Sequence, residues 1–124
     1  MEKETKYYFM EEQEKNDNLG IVQRMNVYSF RDAFSKMGRK DQFSYEGLGA
    51  LFYLLDEING GKTYELDVIG LCCDFREYES LEELQNDYKD LNIEKWEDIE
   101  DHTIATTFRK RSNIYDMGII IQAF

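Results

Sequence analysis

The residues of this chain best suited to chemistry are carboxylates, and they are concentrated. Twelve acids, Asp74, Glu77, Glu79, Glu82, Glu83, Asp87, Asp90, Glu94, Glu97, Asp98, Glu100 and Asp101, stand against three bases between residues 74 and 101. Carboxylates can serve acid–base catalysis, cation binding or docking to a basic surface. Catalysis needs a carboxyl in a cleft or an apolar pocket that tunes its pKa, and a solvent-facing acidic run offers none. The only histidine, His102, lies in the same stretch, where nearby carboxylates favour its protonated form. No nucleophile motif, phosphate loop or dinucleotide fingerprint is present. Gly47-Leu48-Gly49 has the opening spacing of such a fingerprint, but it falls within a helical pattern and lacks the third glycine. The chain is therefore expected not to be an enzyme and to need no cofactor.

Cation binding fares little better. Asp90, Asn92, Glu94, Trp96 through its carbonyl, Asp98 and Asp101 match the ligand positions of a calcium loop. Lys95 stands where the sharp turn needs glycine, and the last ligand is aspartate rather than a bidentate glutamate. A helix anchored by Trp96 accounts for the spacing better. Cys72 and Cys73 are adjacent, and no further Cys or nearby His completes a zinc set. A bridge between neighbours on an extended strand is strained, because their side chains point to opposite faces. They read as two small, reduced, buried residues of a core strand in a cytoplasmic protein. No metal site is expected.

Docking remains. The formal net charge is −11. Residues 1–18 and 19–73 contribute little of it, residues 102–124 are slightly basic, and residues 74–101 hold most of the excess. Such a balance opposes direct contact with nucleic acid or an anionic membrane and favours a basic protein partner. On a helix, side chains three and four apart lie about 5–6 Å from each other. Phosphates on one DNA strand advance about 3.4 Å along the axis per residue. Rows of carboxylates on helices can therefore imitate a duplex edge. A solubilising face on an ordinary domain is the plain alternative.

The elements that must position these acids can be read from periodicity. The length of 124 residues suits one domain, and 42% hydrophobic with 15% aromatic residues suits a real core. Residues 6–10 read as a short strand or a loose arm, and Asp17-Asn18-Leu19-Gly20 as a turn. Residues 21–28 read as a strand, followed by a helix from an N-cap at Ser29 to Met37, stopped by Gly38. Ser44 caps a second helix, with Tyr45, Leu48, Leu51, Phe52, Leu55 and Ile58 at helical spacing and Asn59-Gly60-Gly61 at its end. The segment 64–75 alternates and then becomes continuously apolar, as in a strand entering a sheet.

Ser80-Leu81-Glu82-Glu83 is a capping box that opens a helix to about Tyr88. Ile93, Trp96 and Ile99 face a second short helix inward, ending near Glu100. The acids fall between these apolar positions and so point outward. Residues 103–108 and 114–121 form a hairpin across 110–113, and Ile119-Ile120-Ile121 is apolar enough to be buried on both faces. The fold class is α+β: a single domain, residues 19–124, with a small, mostly antiparallel sheet (strand 64–75 plus the hairpin 103–121) packed with about four helices. Residues 1–18 form an N-terminal extension. No apolar run is long enough to span a bilayer.

The runs Phe43-Ser44-Tyr45-Glu46-Gly47-Leu48, Glu65 through Phe75 and Glu77-Tyr78 resemble a family of small acidic proteins of phages and mobile elements. The resemblance spans about residues 25–124 and supplies no catalytic residues. It implies a phage origin, and small acidic phage proteins include anti-CRISPR and antirestriction inhibitors. On that resemblance the expected function is inhibition of a bacterial immune nuclease inside the host cell. An anti-CRISPR protein comes first, with the twelve acids occupying a groove built for DNA. The alternatives are an antirestriction DNA mimic and a phage accessory protein that binds through aromatic residues such as Tyr7, Tyr8 and Phe9. The expected partner is a basic, nucleic-acid-handling protein, a CRISPR effector nuclease or a restriction enzyme, without direct contact to nucleic acid or membrane.

Overall fold

The computed structural model describes residues 7–8, 24–60, 64–111 and 116–124. In chain order its elements are β1 (Tyr7–Tyr8), α1 (Val27–Lys36), α2 (Tyr45–Asn59), β2 (Tyr64–Glu65), α3 (Val68–Asp74), β3 (Phe75–Tyr78), α4 (Leu81–Asp87), α5 (Trp96–Glu100), β4 (Ala105–Arg109) and β5 (Met117–Gln122). β3, β5 and β4 form an antiparallel sheet in that spatial order. β1 pairs with β2 in a separate short parallel ladder.

The central strand sets the layering. Ile119, Ile120 and Ile121 of β5 are all buried, and successive side chains leave a strand on opposite faces. Ile120 joins a core with Phe30, Phe34, Leu51, Phe52 and Phe75. Ile119 and Ile121 join a second core with Tyr78, Leu84, Ile93 and Ile99. The sheet is thus covered on both sides. α1, α2 and α3 form the first layer, and α4, α5 and the loop between them form the second. Tyr88, Phe124 and His102 stack in parallel on the second layer's side, with ring centroids 4.3 and 5.4 Å apart, and hold the C-terminus there.

The α+β class, the antiparallel sheet and the C-terminal hairpin agree with the sequence expectation. Five helices stand among the described residues. Ser44 caps α2 by accepting from the Gly47 N–H at 2.9 Å, and Gly60 ends the helix with a left-handed φ of 58°. Ser80 caps α4 through the Glu83 N–H at 3.2 Å.

Three local readings change. The expected strand 64–75 is extended only at Tyr64–Glu65 and from Phe75 onward, and Val68–Asp74 is helical. Asp67 caps that helix, accepting from the Gly70 N–H at 3.0 Å. Val68 and Leu71, one helical turn apart, enter the first core, while Ile69 and Cys73 face solvent. An unbroken apolar run does not distinguish a buried strand from a short helix. The two cysteines therefore do not lie in a core strand. Both are free thiols, Cys73 exposed and Cys72 half-buried, and burial raises the Cys72 pKa against the opposing charge of Arg39.

Next, α1 begins before Ser29. Asn26 accepts from the Ser29 N–H at 2.9 Å, and Ser29 Oγ accepts in return from the Asn26 N–H at 3.0 Å, a reciprocal cap that makes Val27 and Tyr28 helical rather than extended. Finally, α5 begins at Trp96 rather than Ile93, although Ile93 is buried as anticipated. Phe9 and the rest of the N-terminal arm apart from Tyr7–Tyr8, the expected turn at 17–20, residues 21–23, Gly61 and residues 112–115 lie outside the described residues.

Since Ile120 is fully buried at the centre of the sheet, Ile120→Ala should cost about 2–5 kcal/mol in guanidinium unfolding. The exposed Glu82→Ala should stay within about 0.5 kcal/mol of wild type. A loss at Ile120 no larger than that at Glu82 would contradict the two-faced role of β5.

Candidate acidic interface

The second layer carries the acids outward because its inward positions are already taken. Leu84 of α4 is fully buried, Leu81, Gln85 and Tyr88 are half-buried, and Glu82, Glu83, Asn86 and Asp87 are exposed. At 100° per residue the last four fall on the side of the helix away from the sheet. In α5, Ile99 is buried and Trp96 half-buried, leaving Glu97, Asp98 and Asp101 on the outer side and Glu100 at its flank. Asp90 and Glu94, in the connecting loop, are also exposed. Nine carboxylates from Glu82 to Asp101 thus belong to the layer on one side of the sheet, against Lys89 and Lys95. None of the nine forms a salt bridge among the described residues, where the observed pair is Lys36 with Asp32 in the first layer at 3.1 Å.

The remaining three of the twelve do not join them, and one of these, Glu79, lies near enough to Glu77 to act on its pKa. Asp74 ends α3, in the first layer. Glu77 lies on the β3 face that also presents Phe75 to the first core. Its carboxylate accepts from the Ser44 N–H at 2.9 Å and lies against Gly47, where any Cβ would collide with it. Gly47 thus packs against Glu77, whose flexible side chain would have to shift to admit a larger residue there. Burial raises the Glu77 pKa, and the hydrogen bond from Ser44 only partly offsets it.

Two members of the outer set are tethered. Asp87 accepts from the Tyr78 hydroxyl at 2.6 Å. Burial and that bond push the Tyr78 pKa upward, and Arg76 acts on Tyr78 and Asp87 from nearby. Asp98 accepts from the Glu94 and Lys95 N–H groups at 2.9 and 3.2 Å and thereby braces the start of α5. The Glu94 bond is the main cause of its lowered pKa. The calcium-loop spacing is thus occupied by a helix with one would-be ligand turned onto its own backbone. Among the described residues no three His, Cys, Asp or Glu side chains are grouped to hold a metal ion.

Sequence reasoning passed over several groups that the fold brings together. Arg31 lies 3.6 Å from the centre of the Tyr45 ring and donates to the Tyr45 carbonyl, with Arg111 4.9 Å from the same ring. The Arg111 N–H donates to Glu46 at 3.0 Å, and Lys110 donates to the Glu79 carbonyl at 2.8 Å. The separations in sequence are long, and no local pattern announces them. A groove between α2, α5 and β4 was likewise unforeseen.

These features define a three-layer α+β scaffold whose second layer bears nine carboxylates, none in a salt bridge among the described residues. No family model, curated protein or solved structure matches the chain. No helix among the described residues is long and apolar enough to cross a membrane.

Glu77 yields a prediction about pH. Its pKa is raised on folding, so its ionisation opposes the folded state; the associated stability is present at low pH and is lost as pH rises through the folded pKa. Glu77→Gln keeps an acceptor for Ser44 without a buried charge. Its melting temperature relative to wild type should be higher at pH 7 than at pH 4. Equal differences at both pH values would show that the carboxylate is not penalised by burial.

Proposed function

We propose that this chain is a non-enzymatic binding protein whose acidic second layer docks into a basic groove of a nucleic-acid-handling protein and blocks it. The observation that carries this reading is the set of nine carboxylates on one layer, none in a salt bridge with a described base, and with only Asp87 and Asp98 tethered within the fold. Charge held this way is available to a partner rather than spent inside the fold. Glu83 and Asp87 on α4, and Glu97 and Asp101 around α5, are one helical turn apart, a spacing comparable to that between backbone phosphates. A groove that releases counterions on binding DNA gains the same way from such a surface. The sheet and its two cores supply a rigid support, so little ordering cost opposes docking.

The target class follows from the resemblance of residues 43–48, 65–75 and 77–78 to acidic phage proteins. It is a nuclease of bacterial immunity, with a CRISPR effector first and a restriction enzyme second. In an RNA-guided effector the matching surfaces are the basic sites that read the short duplex motif or hold the displaced strand.

The test is competition. The chain should displace a labelled DNA duplex from purified effectors and restriction enzymes, and the effect should fall steeply between about 50 and 200 mM salt. A variant carrying Glu82→Lys, Glu83→Lys, Glu94→Lys and Glu97→Lys leaves the tethered Asp87 and Asp98 intact. It should retain its melting profile and lose displacement. Undiminished displacement by this variant, or displacement indifferent to salt, would end the mimicry reading.

A further inference from the structure

The groove missed by sequence reasoning has an unusual floor. Its volume is about 620 Å³, and residues 103–107 all line it. Residues on one face of a strand alternate. A consecutive run means that the groove borders the backbone edge of β4 rather than either face of the sheet. Among the described residues β4 is an edge strand, bonded only to β5. Gln122 N–H donates to Ile104 O at 2.9 Å, and Lys110 N–H donates to Asp116 O at 3.1 Å. In an antiparallel ladder the inward-bonding residues alternate. Ile104, Thr106, Phe108 and Lys110 therefore bond to β5, while Ala105 and Thr107 direct their N–H and C=O groups outward. Among the described residues those outward groups have one contact, from Thr106 Oγ1 to the Thr107 carbonyl at 3.4 Å.

The two helical layers overhang this edge. Leu54 and Ile58 of α2 form one wall and Trp96 of α5 the other, with Ile104 at one end. Ile58 and Ile104 are 44% and 43% exposed, apolar side chains left without cover. Glu57 and Glu100 stand exposed on the two opposite walls. Walls on both faces, an unpaired backbone floor and paired acids describe a slot for one more strand.

We infer that this slot takes an extended, lysine- or arginine-bearing segment of a partner protein as a strand added to β4, its backbone bonded to Ala105 and Thr107. Strand addition draws affinity from main-chain hydrogen bonds and specificity from side-chain pockets. Apolar side chains of the segment would meet Ile58, Leu54 and Trp96, and its basic side chains would meet Glu57 and Glu100. A second copy of this chain is disfavoured, because each carries a net charge of −11. The inference is independent of the nuclease reading, since it concerns the β4 edge and its test involves no nuclease.

An octapeptide of the repeat Lys-Lys-Val-Val, which sets lysine and valine in turn on each face of a strand, is the probe, with its Glu-Glu-Val-Val counterpart and an N-methylated version as controls. Amide exchange and nitrogen–proton spectra of the full chain report the result. The lysine peptide should slow exchange at the Ala105 and Thr107 amides, and neither control should do so. Thr107→Pro removes an outward N–H that the β4–β5 ladder does not use, which an edge strand tolerates. It should weaken binding about tenfold or more. Glu57→Lys with Glu100→Lys, a surface change, should weaken binding as well and serves if the proline variant misfolds. Unchanged exchange at Ala105 and Thr107 with the lysine peptide would overturn the proposal. So would wild-type affinity in a folded variant, or protection of those amides by the chain itself before any peptide is added.

Discussion

The structure depends on burying one strand from both sides. β5 carries three consecutive isoleucines with no exposed face, and a strand of that kind is stable only between two covering layers. Ile120 commits the sheet to α1, α2 and α3, and Ile119 with Ile121 commits it to α4 and α5. The second layer is thin, built on short helices and a loop. Its contribution to burial rests on a few large side chains, Tyr78, Leu84, Ile93 and Ile99 among them. The remaining positions of that layer are free to be charged.

That division explains how a domain tolerates so many like charges at close quarters. Exposed carboxylates repel one another through water, where the interaction is weak and screened. Burying them would cost far more. The fold makes an exception of Glu77, whose half-buried carboxylate satisfies the Ser44 N–H and lies over Gly47. It also ties Asp87 to Tyr78 and Asp98 to the start of α5. Some of the acids thus hold the scaffold while the others are left to the solvent, or to a partner.

The acidic layer and the β4 slot share α5. Trp96 and Glu100 line the slot while Glu97 and Asp101 point from the outer side of the same helix. A partner gripping both would meet a charged surface that speeds encounter and a backbone edge that fixes register. Those are separable contributions, since exposed charge acts mainly on association and buried hydrogen bonding on dissociation.

The sequence by itself determined the elements that rest on local chemistry. The Ser44 and Ser80 caps, the helical stripe from Leu48 to Leu55, the stop at Gly60 and the apolar last strand are all legible because each is decided within a few residues. The outward set of acids was legible too, from the apolar positions of α4 and α5 between which they fall. Only the tertiary structure decided that Val68–Asp74 is helical, because its apolar run fits a strand or a helix equally well until Val68 and Leu71 find the first core. Only the tertiary structure separated Asp74 and Glu77 from the nine acids of the second layer, since the sheet passes between the layers that bear them. The β4 slot is wholly a product of packing: its walls come from helices some forty residues apart in sequence, and its floor exists because β5 bonds to β4 on one side and, among the described residues, nothing pairs with the other edge.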